Sequence, residues 1–180
     1  LFYSLFFELG GAFLIYLSWP AVAPFADQVS VRVFHSIFHS VSAFNNAGFA
    51  LYTAGLAEPF LYHAPVLRVV IALLIVFGGL GFPVLRDLFG YRQMVDRLRA
   101  PWKKWKLSTR ISVWTAVILL LFGTLVFGVL EVRVGGTLEG QSPARVLIDS
   151  FFASASARTA GFNTLDVLSF GVPACLLMIF

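Results

Sequence analysis

Two stretches decide how this chain is read: FNNAGFALY, Phe44 to Tyr52, and ARTAGFNTL, Ala157 to Leu165. Each sets polar residues around a shared Ala-Gly-Phe directly after a short segment of mixed polarity. Those segments are VRVFHSIFHSVSAF, Val31 to Phe44, and ARVLIDSFFASASA, Ala144 to Ala157. Apolar runs of about 10–14 residues are too short to cross a bilayer and favour re-entrant or interfacial helices. The surrounding sequence is long enough to cross. A spanning helix needs roughly 20 apolar residues. Leu1 to Trp19 nearly supplies them, interrupted by Glu8 and closed by Pro20. Pro65 to Leu85 supplies a second span, with GGLGFP near its end, Ile111 to Leu130 a third, and Val172 to Phe180 begins a fourth. The order is span, short helix, polar glycine loop, span.

Composition agrees. Of 180 residues, 59% are hydrophobic and 12% charged, with 20 Phe, and the mean hydropathy is +0.87. A soluble domain carries about 25% charged residues, so the expectation is an integral, all-α membrane protein. Leu1 and Phe180 both fall inside apolar runs, which suggests a piece of a longer protein. The single Cys175 leaves no internal disulfide framework. A net charge of +4 does not point to nucleic acid, because eight of the 13 Lys and Arg crowd between Arg86 and Arg110. A basic run beside a span marks the cytoplasmic side. Both short helices then enter from outside, and Asp27, Glu58, Glu131 and Glu139 face outward. The linker's charges serve as an orientation signal, or meet anionic lipid or a cytosolic regulator; Trp102 and Trp105 suit the interface.

Setting Gly48 on Gly161 exposes an internal repeat. Arg32 then meets Arg145, Val33 meets Val146, Phe38 meets Phe151, and Gly10 falls on Gly123. The sequence divides into a first span–loop–span unit at 1–90, a basic linker at 91–110 and a second unit at 111–180. Glycines such as Gly10, Gly11, Gly78, Gly79, Gly81, Gly123 and Gly128 let helices approach closely.

Non-helical backbone at membrane depth survives only when buried in protein or facing a watery cavity. Two such loops related by a repeat point to a common axis, where carbonyl oxygens can replace the hydration shell of a cation. Glycine fits there because it tolerates φ > 0 and leaves the lumen clear. The C-terminal ends of the short helices carry partial negative charge, which favours a cation. The expected ion filter is Asn46, Ala47, Gly48 and Phe49 with Thr159, Ala160, Gly161 and Phe162. Phe49 and Phe162 are expected to wedge the loops in place, while Asn45, Asn46, Thr159, Asn163 and Arg158 support them.

These residues also carry a resemblance. FHSVSAFNNAGF, Phe38 to Phe49, and SASARTAGFNTLD, Ser154 to Asp166, resemble the second and third pore loops of the Trk/Ktr/HKT cation transporter superfamily. GGLGFPVLRDL, Gly78 to Leu88, is similar to the inner end of that family's second closing helix. The resemblance implies four span–pore-loop–span repeats around one ion path, of which this chain holds the second and most of the third. It further implies potassium uptake or, as the alternative, sodium-permeable or sodium-coupled transport. Its implied partners are lipid, the remaining repeats, a second copy in a homodimer, and in bacteria a cytosolic nucleotide-binding regulatory subunit. The gating segment it implies lies in the third closing helix, beginning near Val172.

Other groups read more plainly. Arg158, just before a cation path, is expected to point backward and pair with Asp149 or Asp166, bracing rather than gating. His35 and His39 stand i, i+4, a spacing that suits zinc, but Ser36 occupies the place of the Glu in HExxH and no third ligand recurs. Packing or hydrogen bonding is the better reading, with no cofactor or resident metal. Ser40, Ser42, Ser154 and Ser156 are expected to satisfy local backbone groups. Glu8 needs a partner that the sequence does not name. No cluster of His, Asp, Glu, Ser or Cys suggests an enzyme. A non-conducting scaffold is the remaining rival; in it, alanine at Gly48 would change assembly and leave flux proportional to protein amount.

Overall fold

The structure, a computed structural model, describes residues 2–90, 93–95, 105–133, 138–164 and 173–174, with only the backbone of His63 and Thr159. Most of the basic linker, Asp166, Cys175 and nearly all of the last predicted span lie outside the described residues. Among those described, the secondary structure is wholly helical. Helix α1 runs Phe2–Leu17 and stops ahead of Pro20. Helix α2, Val29–Phe44, is the first short helix. Two 3-10 turns, Gly55–Ala57 and Pro59–His63, lead to α3, Pro65–Leu80, whose first-turn proline needs no amide partner there. Helix α4 is Phe82–Phe89, α5 is Leu107–Arg133, and α6, the second short helix, is Pro143–Thr159.

The span predicted at Pro65 to Leu85 is corrected. It breaks at Gly81, and α4 turns away from α3 by 104°. Gly81 has φ 79, a left-handed backbone that glycine adopts freely, and Pro83 in the first turn of α4 starts a new helix. Among the described residues, helix α5 is the one helix long and apolar enough to cross a bilayer; the bent pair α3–α4 is a second if taken as one span. Ile118, Leu121, Phe122 and Leu125 of α5 are exposed, as suits a helix apolar on all sides in lipid.

Packing explains the small residues. Helix α1 lies on α2, α5 lies on α6, and α3 touches both short helices. A side chain on Gly11 would stand 2.6 Å from Ser40 Oγ and from Leu74, and one on Gly78 would overlap the Phe44 carbonyl oxygen. A side chain on Gly123 would overlap Ser154 Oγ. These approaches are what small residues allow between helices in lipid. Gly10, by contrast, has open space around it, so Gly11 and not Gly10 is the counterpart of Gly123. Ile15, Ile71, Ile75, Ala43 and Phe152 fill the buried centre between the units.

Candidate functional site

Each short helix ends in a reversal of the chain, and the two reversals differ. At the end of α2, Asn46 N–H donates to Ala43 O at 3.1 Å and Ala47 N–H to Ser42 O at 2.9 Å. Asn46 is left-handed, with φ 53, completing a Schellman cap in which asparagine is the common substitute for glycine. Gly48 then turns again at φ 73. Helix α6 runs one residue further past its matching serine, and Gly161 at φ 70 makes the only left-handed turn described there. The offset between units is therefore 113 residues at the glycines but 114 along the short helices, where Ser36, Ser40 and Ser42 match Ser150, Ser154 and Ser156.

Both loops are pinned alike. Ser42 Oγ donates to Phe49 O at 2.9 Å, and Ser156 Oγ donates to Phe162 O. Ser40 Oγ donates to Glu8 O on α1 at 2.6 Å, and Ser154 Oγ donates to Leu120 O on α5 at 3.0 Å. The serines therefore bind the loops and the neighbouring spans, rather than only the local backbone that sequence reasoning assigned them.

The two loops meet. The place a side chain on Gly48 would take is filled by the Ala160 carbonyl oxygen, with Gly161 C 3.4 Å away. Beyond the first loop, Leu56 N–H donates to Asn163 O at 3.0 Å, and Asn163 Oδ1 lies against Gly55. Among the described residues, nothing stands within 4 Å of the corresponding side-chain position at Gly161. Phe162 is buried at 5% exposure, as a wedge should be, but Phe49 is 68% exposed, contrary to expectation. It forms a groove with Phe34, Ile37, Phe38 and Val41 of α2. The Phe49 and Phe162 carbonyls are thus engaged by serines, and the Ala160 carbonyl is packed against Gly48.

The polar and charged residues around the loops have these partners. Asn45 Nδ2 donates to Val41 O at 2.9 Å and to Glu8 Oε1 at 3.0 Å, which supplies the partner of Glu8. Asp149, a candidate partner for Arg158, is taken by others. Arg68 of α3 donates to its Oδ1, and Arg145 Nε stands 3.5 Å from Oδ2. Arg68 also donates to Tyr62 O at 2.8 Å, and Arg145 covers the Tyr62 ring at 4.5 Å. Arg32, near the start of α2 as Arg145 is near the start of α6, likewise covers Tyr16 at 4.4 Å and donates to Tyr16 O. Arg158 makes no ion pair among the described residues and lines a cleft of about 410 Å³ with Gly79, Leu80, Ser112 and Thr115. Sequence reasoning missed the Arg68–Asp149 pair, although Arg68 is a lone charge in an apolar helix and such charges seek a partner. His35 and His39 hold hydrogen bonds, His35 with the Tyr52 hydroxyl and His39 with His35 O. Among the described residues no three His, Cys, Asp or Glu gather as a metal site.

Among the described residues, wholly helical secondary structure with one long apolar helix suits a membrane protein. The chain belongs to the TrkH family of cation transport proteins, whose family model matches residues 1–179. It is 36% identical over 172 residues to Ktr system potassium uptake protein B of Vibrio alginolyticus, covering 92% of this chain and 34% of that protein. To the protein of the same name in Bacillus subtilis it is 35% identical over 137 residues, 76% of this chain and 28% of the relative. Potassium/sodium uptake protein NtpJ of Enterococcus hirae is 34% identical over 150 residues, 82% of this chain and 30% of its own length. The chain thus spans about a third of the length of these relatives.

Proposed function

We propose that this chain forms part of a potassium uptake pathway and that its two glycine loops supply neighbouring parts of one ion filter. The observation carrying this reading is the contact between loops, in which the Ala160 carbonyl oxygen occupies the side-chain position of Gly48. That contact sets the two loops side by side, where other carbonyl oxygens of both could stand in for the water around a monovalent cation. The C-terminal ends of α2 and α6 converge on the same place, and their partial negative charge favours a cation. Asn46, Ala47, Gly48, Thr159, Ala160 and Gly161 would then line the path, with Asn45, Asn163, Phe49, Phe162 and Arg158 around it.

In this reading residues 1–90 and 111–180 are two of four repeats of a longer chain. The open side of Gly161 receives the next loop as Gly48 receives Ala160, and the groove at Phe49 is covered by the preceding unit. The linker at 91–110 lies in the cytoplasm, where a nucleotide-binding regulatory subunit acts, and the whole protein is a homodimer. Sodium as a second cargo is favoured by the relative named potassium/sodium uptake protein NtpJ. In the full-length protein, Gly161→Ser places a hydroxyl in the open space beside the loop. Uptake assays should show potassium-over-sodium discrimination falling about tenfold, equivalent to about 1.4 kcal/mol, at normal protein amount. Unchanged discrimination would refute the filter assignment.

A further inference from the structure

His35 lies on α2 at the position that Asp149 holds on α6, 114 residues later. Both are buried, at 9% and 0% exposure, and both reach outside their helix. Asp149 takes Arg68 from α3. His35 Nδ1 shares a hydrogen bond of 2.8 Å with the Tyr52 hydroxyl, only four residues beyond Gly48. Tyr52 is boxed in as well. His39, 2% exposed, stacks on its ring at 5.4 Å and 14°, and Phe60 meets it edge-on at 5.3 Å. Trp19 in turn stands edge-on to His35 at 5.8 Å. His39 Nδ1 lies 2.8 Å from His35 O; a carbonyl only accepts, so that nitrogen carries the proton, and the bond fixes the imidazole against Tyr52.

One hydroxyl therefore ties the outgoing arm of the first loop to the helix that enters it. Ser42 holds the same loop three residues earlier, through Phe49 O, so the segment from Phe49 to Tyr52 is fastened at both ends. Counted from the glycines, the second unit has Leu165 where Tyr52 stands, and on its helix Ala153 matches His39. The second unit's sequence therefore lacks the hydroxyl and the imidazole that make this fastening in the first.

We propose that His35 and Tyr52 are positioning residues that set the geometry of the Gly48 loop and thereby its affinity for the transported cation. The inference rests on the reading of the loops as an ion path. Tyr52→Phe deletes one hydroxyl and keeps the ring that packs on His39 and Phe60. In the full-length transporter, rubidium-tracer uptake should show KM rising about three- to tenfold, the scale of one ordinary hydrogen bond. Vmax per transporter in the membrane should stay within about a factor of two on the same scale. His35→Gln combined with Tyr52→Phe should exceed the larger single effect by less than about twofold, because the two groups share one bond. An unchanged KM in Tyr52→Phe, or a change only in the amount of transporter, would overturn the proposal. Gly161→Ser separates the failures. If it alters cation discrimination while Tyr52→Phe leaves KM alone, the strut fails and the path stands. If both variants transport normally, the path reading fails and the strut with it.

Discussion

The two units use one plan and fasten it differently. In the first, α2 is held within its own unit: Asn45 reaches Glu8 of α1, Ser40 reaches the Glu8 carbonyl, and His35 reaches Tyr52 of the outgoing loop. In the second, the residue matching His35 is Asp149, and it is held by Arg68 from the closing helix of the first unit. One helical position thus serves as an internal strut in one unit and as a clamp between units in the other. The clamp fixes where α6 sits relative to α3, and hence where Ala160 meets Gly48. The glycines differ in the same sense: Gly48 is enclosed by the neighbouring loop while Gly161 faces open space.

The largest break in this comparison should come from the clamp. Asp149→Ala leaves Arg68, 2% exposed, as an uncompensated buried charge, at a cost of about 3–5 kcal/mol. Thermal unfolding of the purified full-length protein should register it, and transport should fall with it. Pairing Arg68→Met with Asp149→Leu should cost less than either change alone, because no charge is then stranded. A double variant as unstable as the sum of both singles would show that the pair does not act as a unit.

A smaller effect distinguishes the glycines. Gly48→Ala meets a left-handed backbone, at about 1–2 kcal/mol, and adds an overlap with the Ala160 oxygen worth about 1–3 kcal/mol more. Gly161→Ala meets only the first of these, since its side-chain position is open. Stability of the two variants compared in one assay should rank Gly48→Ala as clearly the worse. Equal losses would mean that the loops do not press on each other as described.

Much of this was legible in the sequence. Hydropathy placed α1 and α5 within a few residues of their ends and α3 at its start only, and the doubled Ala-Gly-Phe placed both loops and both left-handed glycines. Pairings between distant residues were not legible. Arg68 and Asp149 are 81 positions apart and Glu8 and Asn45 are 37 apart, and helical periodicity says nothing about which faces meet. Register was read only in part. A single offset fits the glycines, whereas the short helices run at 114 and the spans at 112, Gly11 to Gly123. The extra residue before Gly48 becomes visible only once Asn46 is seen to form the helix cap. The bend at Gly81 was concealed because an apolar run reads the same straight or broken.

The central claim is that the carbonyls beside Gly48 and Gly161 form one cation site, and heavy-ion crystallography tests it most directly. Crystals of the full-length protein grown with rubidium or thallium should show an anomalous peak in contact with carbonyl oxygens of both loops. A cation peak on another route, with these carbonyls turned into packed protein, would contradict the account.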